Sequence, residues 1–130
     1  MNRRTAREKA IQALYQMDVS GAESAEAVAN VLDGSENDSS YLHEIVAGVE
    51  THRDEIDASI KNNLEKWSFD RLAKVDRNIL RLAVYEINYS DDVPAKVAVN
   101  EAIELAKYFS DERAGKFING VLSKINQSMD

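Results

Sequence analysis

Lys74 to Tyr89 reads KVDRNILRLAVYEINY, and the fold of the whole chain turns on how this stretch is read. At about 100° per residue, Lys74, Arg77, Asn78, Arg81 and Asn88 fall into one polar stripe. Val75, Ile79, Leu80, Leu82, Ala83 and Ile87 spread over a much wider apolar arc. Such a helix is enclosed on most sides. Two acids break the pattern: Glu86 projects between Val75 and Ile79, and Asp76 between Ala83 and Ile87. An unpaired buried carboxylate is strongly unfavourable, so each needs a partner. Two readings stand for them. Asp76 caps the helix while Glu86 meets an internal arginine or a backbone donor, or one or both hold a polar contact at a subunit or partner interface.

Outward from this element, the chain reads as helix after helix. Thr5-Ala-Arg-Glu8 forms a capping box that predicts a helix from Ala6 to about Val19, stopped by Ser20-Gly21. Its inner face is Ala6, Ala10, Ala13, Leu14 and Met17, while Arg7, Ile11 and Tyr15 share one flank at i, i+4 and i+8. Ser20-Gly-Ala-Glu23 offers a second capping box before a short helix through Ala25, Val28, Ala29 and Leu32, and Gly34 to Ser40 (GSENDSS) reads as loop. From near Tyr41 the apolar period runs through Ile45, Val49, Ile56, Ile60, Leu64 and Trp67, but the polar run ETHRDE predicts a break near Thr51. Ser68 to Lys74 is a short connection. After the central helix, Val93-Pro94 ends one element and opens the next, a helix from about Val97 to Phe109. A last helix from about Ala114 carries Phe117, Ile118, Val121, Leu122 and Ile125. Strand signals are nearly absent, so the class is all-α, with six or seven helices packed as a bundle.

A chain of 130 residues without a linker-like tract suits one domain with a real core. The absence of cysteine excludes a disulfide framework, thiolate metal sites and a cysteine nucleophile, and suits a reducing cytoplasm. No apolar run approaches the length of a membrane span, and the N-terminus lacks an apolar signal core. The formal charge is −7, yet Arg3, Arg4, Arg7 and Lys9 against Glu8 give the first ten residues +3, which leaves −10 on the other 120. A basic end on an acidic body can confine a polyanion to one place and repel it elsewhere. Arginines near a terminus are also ordinary surface decoration. Beside them Tyr15 either stacks a base or is a core-edge tyrosine with its hydroxyl in water.

Convergent polar groups of the kind an enzyme needs are scarce. His43 and His52 stand nine apart with no carboxylate at metal spacing, and Glu101 and Glu104 lack the Glu-x-x-His partners of a di-metal bundle. There is neither a glycine-rich phosphate loop nor a nucleophile elbow. The chain reads as a binding module without catalytic activity or cofactor.

Four stretches taken in order resemble one family. AREKAIQALYQMD (Ala6 to Asp18), VDRNILRLAVYEI (Val75 to Ile87), PAKVAVNEAIELAKYF (Pro94 to Phe109) and KFINGVL (Lys116 to Leu122) are similar to the NusB family of bacterial transcription antitermination factors. The likeness runs end to end; Ala22 to Ser40 adds nothing to it. The resemblance implies two small three-helix-like bundles packed together, forming a single RNA-binding domain over residues 1–130. It implies binding of single-stranded boxA RNA in nascent ribosomal transcripts together with NusE, a ribosomal small-subunit protein, within an RNA polymerase antitermination complex. Carried onto this chain, the family's RNA contacts fall on Arg3, Arg4, Arg7, Gln12, Tyr15, Lys116 and Phe117. Phe117 also lies on a regular apolar stripe, where a core role is the alternative. The implied partner face draws on the central helix: Asp76 matches an acidic family position, with Arg81, Tyr85 and Glu86 on or beside it. Some family members self-associate, so a homodimer stays open. A second reading is a NusB-like adaptor or substrate-binding module attached to ribosomal RNA modification or processing; a third is a helical scaffold with protein partners only.

Overall fold

The computed structural model describes residues 1–34, 38–66 and 68–128. Among them are seven α-helices and one short 3₁₀ turn: α1 (Arg3–Ser20), α2 (Ser24–Leu32), α3 (Ser40–Thr51), α4 (Arg53–Asn62), the 3₁₀ turn (Phe69–Arg71), α5 (Lys74–Tyr89), α6 (Ala95–Phe109) and α7 (Glu112–Ser128). No strand occurs among these residues, and none of the helices is long and apolar enough to cross a membrane. The expected break falls at His52, between α3 and α4. Part of the expected GSENDSS loop and Trp67 lie outside the described residues.

The helix ends correct the sequence reading in informative ways. α1 begins three residues before Ala6 because Asn2, not Thr5, is its cap: the Asn2 side-chain oxygen accepts from the Thr5 backbone N–H at 2.8 Å. Arg3 and Arg4 are therefore held on a helical turn. The capping box expected at Ser20–Glu23 does not form. The Ser20 hydroxyl donates back to the Gln16 carbonyl at 2.7 Å, Gly21 closes α1 in the left-handed region (φ 73°), and Glu23 precedes α2 without a side-chain cap bond. Pro94 stands immediately before α6, which starts two residues earlier than expected. α7 also starts early, since Asp111 accepts from the Ala114 backbone N–H at 2.8 Å. Asp76 is not the cap of α5: Ala73 holds that place with no side-chain bond, and Asp76 sits inside the first turn.

α1, α2 and α3 pack on one another to form one bundle, and α5, α6 and α7 form a second. α5 belongs to both, packing against α1, α3, α4, α6 and α7. Apolar faces meet along it. Ala6, Ala10 and Leu14 of α1, Ile45 and Val49 of α3, Ile79, Leu80 and Ala83 of α5, and Ile118 and Leu122 of α7 are all buried. Where α3 crosses α5, the Tyr85 ring occupies the space that a Cβ on Gly48 would take.

The middle of the polar stripe of α5, Arg77, Asn78 and Arg81, is buried as well, while Lys74 and Asn88 at its two ends are exposed, so the helix is enclosed more completely than its sequence suggests. Arg77 donates to both carboxylate oxygens of Asp18, its Nη2 at 2.8 and 2.9 Å. Asn78 donates to the same carboxylate at 3.0 Å. Arg81 forms a two-pronged pair with Asp57 at 2.8 and 3.0 Å and reaches Asp18 at 3.3 Å. Burial pushes the Asp18 carboxyl pKa up, but these donors and the arginine charges outweigh it, and the group ends below the ordinary carboxylate range. The 3₁₀ turn is fastened to the same cluster, since the Phe69 ring centroid lies 5.1, 5.3 and 5.5 Å from the cations of Lys61, Arg77 and Arg81.

Candidate nucleic-acid interface and partner face

The N-terminal arginines all sit on α1, each with a carboxylate from the second bundle. Arg3 pairs with Asp92 at 2.6 Å, and its guanidinium lies 4.4 Å from the centre of the Tyr41 ring. The hydrogen bond from Arg3 holds the Asp92 carboxyl below its usual range. Arg4 pairs with Glu101 at 2.8 Å. Arg3 and Arg4 are both exposed, so phosphates could reach them by displacing these acids.

Arg7 is different. Its side chain is only 4% exposed and its Nε donates to both oxygens of Glu86 at 3.1 and 3.0 Å, while Nη1 reaches Glu101 at 3.4 Å. Glu86 is wholly buried and also accepts from the Tyr41 hydroxyl. Burial raises the Tyr41 pKa, and the bond to Glu86 raises it further, so the phenol remains a donor. The flank expected to carry Arg7, Ile11 and Tyr15 side by side is open only at its far end: Arg7 and Ile11 are buried, and Tyr15 is 41% exposed. Gln12 is exposed one helical turn before it.

Lys116 and Phe117 lie on the second turn of α7. Lys116 is exposed; Phe117 is half-buried, packs on the core and lines two surface hollows. Among the described residues no hydrogen bond or ion pair joins this pair to the arginines of α1.

The first of those hollows, of about 350 Å³, opens between the start of α5 and the start of α7. Asp76 lines it with Arg71, Asp111, Arg113 and Phe117. The Asp76 Oδ1 is buried with no hydrogen-bond partner among the described residues. Burial, reinforced by the nearby Asp111 charge, raises the Asp76 pKa. The other three residues read onto the partner face sit deeper. Arg81 is bound to Asp57, Asp18 and Asn78, Tyr85 packs under Gly48, and Glu86 holds Arg7. Of the two misplaced acids, Glu86 thus has an internal arginine, and Asp76, which lines the hollow, has one buried oxygen with no hydrogen-bond partner among the described residues.

Asp18, Asp57, Asp92 and Glu101 organise these sites; the sequence reading weighed Glu101 only as a metal ligand and did not single out the other three. Asp18 was the most accessible to reasoning, because it continues the inner-face line Ala10–Leu14 by one further turn. An acid there needs cations, and the stripe of α5 carries three, of which Arg77 and Arg81 reach it.

A model of the NusB family matches residues 4–127. Over 130 residues the chain is 53% identical to the transcription antitermination protein NusB of Bacillus velezensis, covering 100% of this chain and 99% of that protein. It is 51% identical over 125 residues to the corresponding protein of Listeria welshimeri, covering 96% of each. Among solved structures it is similar to one of antitermination factors NusB and NusE in complex with double-stranded RNA, with a TM-score of 0.88 at 34% identity over 97% of this chain and 96% of that one. It is also similar to the structure of T. maritima NusB, with a TM-score of 0.87 at 36% identity over 98% of this chain and 92% of that one. A chain that matches the family from Arg4 to Gln127, at this identity to full-length members and with their fold, belongs to the NusB family.

Proposed function

We propose that this chain is a non-enzymatic transcription antitermination factor, a single helical RNA-binding domain that engages boxA RNA of nascent ribosomal transcripts together with NusE and supports processive transcription by RNA polymerase in the cytoplasm. The observation that carries this reading is its likeness, over nearly the whole of both chains, to a NusB solved with NusE and double-stranded RNA. The geometry supports it in two places.

On the RNA side, Arg3 and Arg4 present cations on the first turn of α1, Gln12 and Tyr15 are exposed further along the same helix, and Lys116 and Phe117 add a cation and a ring on α7. Arginine and lysine attract phosphate, and an exposed aromatic ring stacks an unpaired base, which favours a single-stranded segment. Arg7 serves from beneath, holding Glu101 in place under Arg4 and Glu86 in the interior. On the protein side, Asp76 lines the open hollow between α5 and α7, where its carboxylate suits a donor from NusE, with Arg81, Tyr85 and Glu86 fixing the helix behind it.

The test is binding of a labelled single-stranded boxA RNA across a salt series, with and without NusE. With Arg3, Arg4 and Lys116 as the exposed cations, the log–log slope should be near −2 on the single-strand estimate of about −0.7 per phosphate. NusE should tighten binding. Absence of RNA binding under both conditions, or a flat salt response, overturns the reading.

A further inference from the structure

A groove of about 300 Å³ runs beyond Phe117 between α7 and the segment that follows α4. Its rim carries Lys66, Lys116 and Lys124 against a single acid, Glu65. In a chain of net charge −7 this excess is unusual, and four other surface hollows are charge-balanced or acid-rich: Arg71 and Arg113 face Asp76 and Asp111 in one, and Arg4 or Arg53 faces at least two glutamates in each of the rest. The floor is equally specific. Gly120 opens into the groove, and a Cβ built on it meets nothing within 4 Å, so the helix backbone can be approached closely there.

We infer that this groove is an extension of the RNA site, carrying the sugar–phosphate backbone of the strand past Phe117 toward Lys66 and Lys124. The inference rests on the RNA-binding reading above. Phe117 lines both this groove and the hollow at Asp76, so a strand stacked on it is already at the groove mouth. From Lys116 to Lys124 the helix advances about 12 Å at 1.5 Å per residue, which sets the length of backbone to be followed. Lysine is a point charge that binds phosphate without demanding a fixed geometry, which suits contacts independent of base sequence. Lys124 is paired with Glu65, which the lysine holds below its usual pKa. Glu65 is largely exposed, and an exposed pair of this kind is weakly held, so a phosphate can take the lysine from it.

The test compares a labelled boxA RNA with the same RNA carrying a short unpaired uridine tail at each end, both with NusE present. In the wild-type protein the tails should tighten binding and steepen the salt slope by about 1.4, two phosphates at about 0.7 each. Lys66→Ala with Lys124→Ala should remove that gain and leave the untailed RNA unaffected. Gly120→Gln, which fills the groove without changing charge at a site where the helix tolerates a side chain, should do the same; Gly120→Ala should retain most of it. Tails that add nothing in the wild type, or a gain that survives the double lysine variant, overturn the groove while the untailed RNA keeps the RNA-binding reading intact. Loss of NusE association in the lysine variant with RNA binding unchanged would make the groove a protein contact and equally overturn the inference. If neither RNA binds the wild type, the parent reading fails and the groove falls with it.

Discussion

Replacing Arg7 by Met should cost the fold about 4–5 kcal/mol, although the side chain touches little solvent. The reasoning starts from Glu86, which has no exposure to water and whose carboxylate is held by Arg7 and the Tyr41 hydroxyl. Removing one partner of a buried pair leaves an uncompensated charge, typically a loss of about 3–5 kcal/mol. Glu86 would retain only the phenol, which places Arg7→Met toward the upper end. The converse change, Glu86→Leu, should cost less, about 3 kcal/mol, because Arg7 keeps Glu101 at 3.4 Å. With both replaced, two charges leave the interior together and the main residual loss is the unpaired Tyr41 hydroxyl, about 1–3 kcal/mol. The double variant should therefore be more stable than Arg7→Met alone. Equilibrium urea unfolding followed by far-ultraviolet circular dichroism at neutral pH measures all three. Strict additivity of the two single losses, or an Arg7→Met loss under about 1 kcal/mol, would refute the claim that this pair is a coupled buried unit.

Other consequences are simpler to state. Gly48→Ala places a methyl group inside the Tyr85 ring and should destabilise by about 1–3 kcal/mol, despite the better helix propensity of alanine; a thermal melt detects it, and a rise in midpoint would contradict the packing described. Asp76 has a raised carboxyl pKa, so its ionisation opposes folding above the ordinary carboxylate range, and that penalty is relieved as pH falls through the raised value. Asp76→Asn should accordingly stabilise the protein at neutral pH, lose that advantage in acid, and weaken NusE association; urea midpoints against pH and a pull-down with NusE read the two effects separately. Tyr15→Ala should leave the urea midpoint nearly unchanged, since the ring is 41% exposed, while lowering boxA affinity by about 1–3 kcal/mol if a base stacks there. Undiminished binding in that variant would return Tyr15 to the fold.

Apolar periodicity made most of the architecture legible: the stretch read as the central helix is α5, and the break between α3 and α4 followed from six polar residues in a row. Helix starts were less legible, because a cap depends on which of several candidate oxygens reaches the free backbone donors. Asn2 outcompeted Thr5, and Ser20 turned back to Gln16. Charge was the least legible. A one-dimensional pattern shows Arg77, Asn78 and Arg81 as a polar stripe, which suggests water, whereas Asp18 and Asp57 arrive from other helices and let the stripe be buried. Glu86 illustrates the opposite success, since its position inside an apolar arc required a partner, and Arg7 lies 79 residues away in sequence. The candidate RNA residues could be named from the family but not sorted by accessibility, because periodicity alone does not reveal that Arg7 faces Glu86 while Arg4 faces outward.

Because α5 closes both bundles, the amide protons of its central residues, Ile79 to Ala83, should exchange with solvent only when the whole chain unfolds. α2, packed mainly on α1 and α3, can open by itself and should exchange far sooner. Native-state hydrogen exchange should then show two protection levels that do not divide at the boundary between bundles: the slowest set includes buried amides of α1 and α7 as well as α5, and the fastest helix lies inside the N-terminal bundle. In kinetic terms, the two bundles are one cooperative unit with a detachable flap.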